Sequence, residues 1–299
     1  MFARTLLLFT VLTVLLMVFG FIIGLAIGVD PLGLMLVGLI FAAIINLASY
    51  AWSDRFVLWS THAKIISEAD NPVLYNTVRR VAERANIPMP RVGIVDSAQP
   101  NAFATGRGPS KAVVVATTGI LRTLSPGELE AVIGHEISHV THRDVLLASI
   151  AATVAGTISF LGQMIIWNSM FGGFGGRGNR DDNSAAILLM IVAAILIPIG
   201  AMLVQLGISR GRESSADAAG ARLTEKPQEL INALRKISNR SSASQWKQNN
   251  APSPATSSLW FVNPLKGSSW TEIFSTHPSL ESRVRNITKV AQEMGILVS

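Results

Sequence analysis

The sequence predicts a mainly α protein with a small β-sheet: four transmembrane helices and a mixed cytoplasmic domain split into two parts. Three observations carry that expectation. Charged residues make up only 15% of the 299-residue chain, against about 25% in an ordinary soluble domain, and the mean hydropathy is +0.41. Four apolar stretches interrupt the polar sequence. Two short β-branched runs lie between the second and third of them.

The stretches run from about Leu6 to Ile27, Leu32 to Ser49, Val145 to Trp167 and Ala185 to Ile208. Each approaches the roughly 20 residues that cross a hydrocarbon core as a helix. Asp30-Pro31 makes a tight turn that folds the first two into a hairpin. Gln163, Pro198 and Gln205 interrupt the later two, which membrane helices tolerate. Only Arg4 precedes the first run, which exceeds the about 7–15 residues of a signal-peptide core, and no A-x-A-like site follows, so a retained anchor is expected. Arg and Lys concentrate in residues 50–144 and after Ile208, while the loop around Asp30 has none. The positive-inside rule therefore expects both soluble segments and both termini in the cytoplasm, and the domain limits follow as 1–50, 51–144, 145–208 and 209–299. The net charge of +6 fits a face beside anionic lipid. No basic run with interleaved aromatics points to nucleic acid.

Within the soluble part, Asp70-Asn71-Pro72 opens an amphipathic helix over 70–86. Arg91–Val95 and Lys111–Ala116 are the strands. Ser125-Pro126-Gly127-Glu128 is a helix start, with Ser125 as cap and Glu128 three residues on; that helix is expected to run through residue 144 into the third span. Residues 238–258, rich in Ser, Asn, Gln and Pro, are expected to form a mobile loop. The Gly-rich stretch 172–178 follows no strand and is a loop, not a phosphate cradle.

The chain has five histidines and no cysteine. Disulfides and thiolate ligands are excluded, so any transition-metal site must use His, Asp or Glu. His135-Glu136-Ile137-Ser138-His139 reads H-E-x-x-H. Residues i and i+4 share a helix face, so both imidazoles can reach one Zn²⁺. Glu136 beside them can take a proton from a water whose pKa the metal lowers. Random placement of these residue types would give the pattern about 0.003 times in such a chain. A catalytic zinc needs a third protein ligand. After the fourth stretch, Glu213 and Asp217 are again i and i+4: Glu213 can bind the metal while Asp217 holds the free nitrogen of a ligand histidine.

With these motifs, with Asn101-Ala102-Phe103-Ala104, and with a late His277-Pro278, the chain resembles the HtpX-like integral membrane zinc metalloproteases, relatives of the CAAX prenyl proteases. The resemblance covers nearly the whole length. It implies a zincin-like cytoplasmic metalloprotease domain and one Zn²⁺ per chain held by His135, His139 and Glu213. It also implies Glu136 as catalytic residue, and proteolysis of membrane or misfolded proteins on the cytoplasmic side of the bacterial plasma (inner) membrane, in quality control.

Other residues keep two readings. His277 either donates to the oxyanion, with Arg283 helping to hold substrate or the site, or marks a helix start with Thr276 and Pro278. Asn101–Ala104 is either a substrate-binding edge strand or a turn after Pro100. His142 is read as a non-ligand and His62 as structural or exposed. Trp260 and Trp270 suit a membrane interface or a core equally. The rival function is a non-catalytic metal-binding membrane adaptor or transporter. Charge-free first spans argue against transport.

Overall fold

The computed structural model describes residues 2–151, 153, 158, 163, 210–242 and 278–298. Most of the third stretch, the whole of the fourth, the loop 168–184, residues 243–258, Trp260, Trp270 and His277 lie outside the described residues. The chain divides into two compact units, Met1–Trp52 with Ile150–Gly207, and Ser53–Ser149 with Ile208–Ser299.

In the first unit α1 (Phe2–Ile27) and α2 (Pro31–Ser60) form the expected hairpin. Asp30 caps α2, its carboxylate accepting from Leu32 N (3.1 Å) and Gly33 N (2.9 Å). The helices approach through glycine: a Cβ on Gly20 would strike the Leu34 carbonyl, and one on Gly38 the Leu16 carbonyl. Small residues permit such backbone approach where water cannot drive association. One polar tie crosses the hairpin, Asn46 Nδ2 donating to Thr13 Oγ1 (3.1 Å) and Phe9 O (3.3 Å). Both helices are long and apolar enough to cross a membrane. Helix α2 runs past the expected Ser49 and kinks at Trp52 (φ −129°, ψ 15°).

The second unit is built on a four-stranded mixed sheet, order β1-β2-β4-β3. Its strands are β1 (Lys64–Ile66), β2 (Arg91–Val95), β3 (Ala102–Thr105) and β4 (Val113–Thr117). Strands β2 and β4 are parallel; β1 and β3 flank them antiparallel. Helix α3 (Pro72–Arg84), capped by Asn71, precedes β2, and the short α4 (Thr118–Thr123) follows β4. Period-2 alternation splits the sheet's side chains. Val92, Val114 and Ala116 join the main core, while Phe103, Val113 and Val115 pack with Val57 on the other face.

Helix α5 (Pro126–Thr141) lies in the main core and is buried along nearly its whole length. Ser125 and Glu128 form the expected capping box. Its Leu129, Val132, Ile133 and Ile137 are buried with α3 residues Leu74, Val78 and Val81, each worth about 1.5–3 kcal/mol against exposure. After the gap come α6 (Arg210–Thr224), α7 (Pro227–Ser242) and α8 (Leu280–Glu293).

Three further boundaries differ in ways that bear on the site or its flanks. Helix α5 does not run on through residue 144: Arg143 adopts a left-handed conformation (φ 59°), and helix resumes at Asp144. Residues 238–242 belong to α7, whose buried stripe of Leu230, Ile231, Leu234 and Ile237 leads up to them. Strand β4 begins at Val113, since Pro109–Lys111 forms a 3₁₀ turn.

Candidate metal centre

The centre forms where α5 crosses α6. A Cβ on Gly220 would lie 2.7 Å from His135 N, and one on Gly134 would lie 2.5 Å from Thr224 Cγ2. Only glycine at both positions lets the two backbones approach so closely. That approach brings the Glu213 and Asp217 side chains of α6 onto the histidines of α5.

His135 Nε2 lies 3.2 Å from His139 Nε2. Glu213 sends Oε1 to within 3.3 Å of His139 Nε2 and Oε2 to 3.7 Å from His135 Nε2. One ligand atom from each of His135, His139 and Glu213 falls within 4.8 Å of the others. A tetrahedral ion with bonds of about 2.0–2.1 Å separates its ligands by roughly 3.3 Å, so the spacing fits a zinc-sized ion.

The surroundings set the protonation. Asp217 Oδ1 stands 3.0 Å from His135 Nδ1, which leaves the Nε2 lone pair of that ring turned toward the cluster. Burial, opposed by Asp217, pushes His135 down to about 4, so the ring is neutral, the form that ligates metals. Burial opposes protonation of His139 too, but Asp144 and Glu213 outweigh it and raise it to about 10. A potential negative enough to hold that proton also favours a divalent cation. Burial, helped by Glu213, pushes Glu136 up to about 7, the range that suits a general base at neutral pH.

Glu136 Oε2 accepts a hydrogen bond from the Ala104 amide at 2.9 Å. That amide therefore points away from β4. On the alternate residue, Asn101 O accepts from Thr117 N, so the Ala102 and Ala104 peptide groups face the outer edge of β3. No described strand pairs with that edge. The segment is thus an edge strand, with the Phe103 side chain turned to the opposite face beside Val57.

Arg283 of α8 is buried and holds Asp217 bidentately, Nε to Oδ2 at 2.8 Å and Nη2 to Oδ1 at 2.6 Å. It supports the centre through Asp217. Asp144, which the sequence reading passed over, places Oδ2 3.6 Å from His139 Nδ1 and Oδ1 3.4 Å from Arg212 Nε. It sits off the helical spacing of the motif, so only the chain reversal at Arg143 reveals it. His142 is not among the cluster; its Nδ1 lies 2.7 Å from Ser138 O. His62 is exposed with φ 55°.

Two histidines one turn apart on a buried helix, a carboxylate between them and a second carboxylate supplied by another helix define a metallopeptidase. The profile of peptidase family M48 matches residues 68–291, and the chain belongs to that family. It is a metalloprotease, a hydrolase. Full-length similarity agrees. The chain is 43% identical to a "Protease HtpX homolog" of Thermococcus sibiricus, over 99% of this chain and 98% of that protein. It is 44% identical to that of Thermococcus kodakarensis over the same shares, and 46% identical to that of Thermodesulfovibrio yellowstonii over 85% and 88%. Among solved structures, "Crystal Structure of S. mikatae Ste24p" aligns with a TM-score of 0.48 and 19% identity, covering 91% of this chain and 62% of that one.

Proposed function

We propose that the chain is a membrane-embedded zinc endopeptidase in which His135, His139 and Glu213 hold one Zn²⁺ and Glu136 is the catalytic base. The observation that carries this reading is the convergence of those three ligand atoms within 4.8 Å. Bound there, zinc would polarise the scissile carbonyl and acidify the attacking water. Glu136 takes the proton from that water and returns it to the leaving amine. The Ala104 amide aims its carboxylate, and Asp217, held by Arg283, fixes the tautomer of His135. A substrate strand adds along the outer edge of β3, over Asn101–Ala104, so recognition depends on backbone rather than sequence. His277, on the sequence alone, is assigned to the oxyanion.

The same reading includes four spans, with domains at 1–50, 51–144, 145–208 and 209–299. The soluble segments lie in the cytoplasm, on the inner face of a bacterial plasma (inner) membrane, and the substrates are membrane or misfolded proteins removed in quality control. The Lys and Arg bias supports the orientation.

Glu136→Gln preserves shape and removes the base. The purified variant is expected to keep its zinc and to lose hydrolysis of a casein-like substrate by about 10²–10⁴-fold. Cleavage at the parental rate would overturn the assignment of Glu136.

A further inference from the structure

The foot of α2, after the kink at Trp52, presents two unlike sides. Ser53, Asp54 and Val57 are buried. Val57 packs with Phe103, Val113 and Val115, and Asp54 pairs with Arg91 of β2 at 3.0 Å. The foot is thus fixed to the back of the sheet whose front carries α5. Its other side holds Phe56 and Trp59, spaced i and i+3 and so on one face. Trp59 is 75% exposed and Trp52 53%, and the Phe56 and Trp59 rings lie 6.1 Å apart. Arg55 is exposed beside them.

In water such a stripe has no purpose and a cost. Position decides what covers it. The residues from Pro31 to Trp52 rise about 33 Å as a helix, against a hydrocarbon core of about 30 Å. The outer side of α2 ahead of the kink is apolar, through Leu36, Ile40, Ile44 and Leu47, and the foot follows it directly in the chain. Indole rings prefer the headgroup level, and a basic residue there gains from anionic lipid.

We propose that the foot of α2 lies in the lipid headgroup layer, with Phe56 and Trp59 turned to the bilayer and Arg55 among anionic headgroups. This rests on the reading that α1 and α2 cross the bilayer, and the test separates the two.

The chain has no cysteine, so single labels can be placed at will. Trp59→Cys, Ile40→Cys and Val73→Cys would each carry a nitroxide on the full-length protein in vesicles containing anionic phospholipid. Ile40 is 61% exposed on α2 and Val73 59% exposed on α3. Collision with oxygen, relative to a water-soluble nickel chelate, is expected to be highest at 40, several-fold lower at 59, and lowest at 73. A label at 59 as aqueous as that at 73, with 40 in hydrocarbon, overturns the inference and leaves the spans standing. An aqueous label at 40 overturns the spans and the inference with them. If Trp59→Cys fails to fold, Trp59→Phe serves. Removing this indole should reduce the fraction of fluorescence quenched by lipids brominated near the headgroup; an unchanged fraction overturns the proposal.

Discussion

The two halves of α5 are both lined with charge, yet of opposite balance. In the first half, Glu128 meets Lys236 at 2.7 Å, and Glu130 meets Lys226 at 2.8 Å, Arg84 at 2.9 Å and Arg80 at 3.6 Å. Two carboxylates face four cations whose side chains are a third to a half exposed. In the second half, Glu136, Glu213, Asp217 and Asp144 gather around the histidines with Arg283 and Arg212 as the cations nearby. Among the described residues, four carboxyl groups face two guanidinium groups, an acidic excess that suits a divalent cation. Charge density alone therefore does not mark a site. The first half satisfies its acids with basic side chains reaching in from α3, α7 and the turn before α7. The second, among the described residues, keeps its acids short of protein cations and turns Glu213 and the two imidazole Nε2 atoms toward one point.

The largest effect should come from removing a donor in the second half. Glu213→Ala removes one of three, and zinc is expected to be lost on dialysis from the variant while the parent retains it. Metal analysis of both after identical treatment checks this. Equal retention would mean that the charge deficit is filled in another way.

Next is Gly220→Ala, which attacks the crossing rather than the charges. The added Cβ needs space that His135 N occupies at 2.7 Å. Overpacking of this kind costs about 1–3 kcal/mol, and relief would move Glu213 and Asp217 away from α5. Loss of zinc affinity should therefore accompany the loss in denaturant stability. A stable variant with unchanged affinity would show that the close approach does not set the site.

How much of this was legible beforehand follows the same division between local and tertiary signals. The capping box of α5, the i, i+4 pairs His135/His139 and Glu213/Asp217, and strand β2 are properties of short sequence windows, and helix or strand periodicity exposes them. The meaning of Arg283, Asp144, Gly134 and Gly220 is set by another segment of chain. Arg283 reaches an aspartate 66 residues away. Nothing in His142-Arg143-Asp144 announces a left-handed residue, so the expected continuous helix hid the carboxylate that turns back on His139. Among the described residues, strand β1, three residues of Lys-Ile-Ile, pairs with β2 alone. For Glu130, local reading suggests an ordinary surface acid; α3 and Lys226 make it the meeting point of three cations.

Asp144→Asn tests the balance around His139. It removes one of the negative charges but leaves every proposed ligand. Changes to partners that orient ligands typically cost about 10–100-fold in metal affinity, and the 3.6 Å separation puts this one toward the lower end. Competition against a chelator gives the number. An affinity equal to the parent's would assign Asp144 to Arg212 alone.

The smallest effect belongs to the first half, and its pH dependence identifies it. Burial opposes ionisation of Glu130, but Lys226, Arg84 and Arg80 outweigh it and hold its carboxyl below the ordinary glutamate value. A depressed carboxylate adds stability above its unfolded pKa of about 4.3, and that stability is lost as pH falls through the folded value. With partners this exposed, Glu130→Gln should cost about 1–2 kcal/mol at pH 7. The gap between parent and variant should narrow as the pH falls below about 4.3. Zinc affinity at pH 7 should not change, since Glu130 lies on the other half of the helix. A gap that stayed constant into acid would mean that Glu130 acts by packing rather than charge. A fall in zinc affinity would mean that the two halves of α5 are coupled, and the division drawn between them would have to be given up.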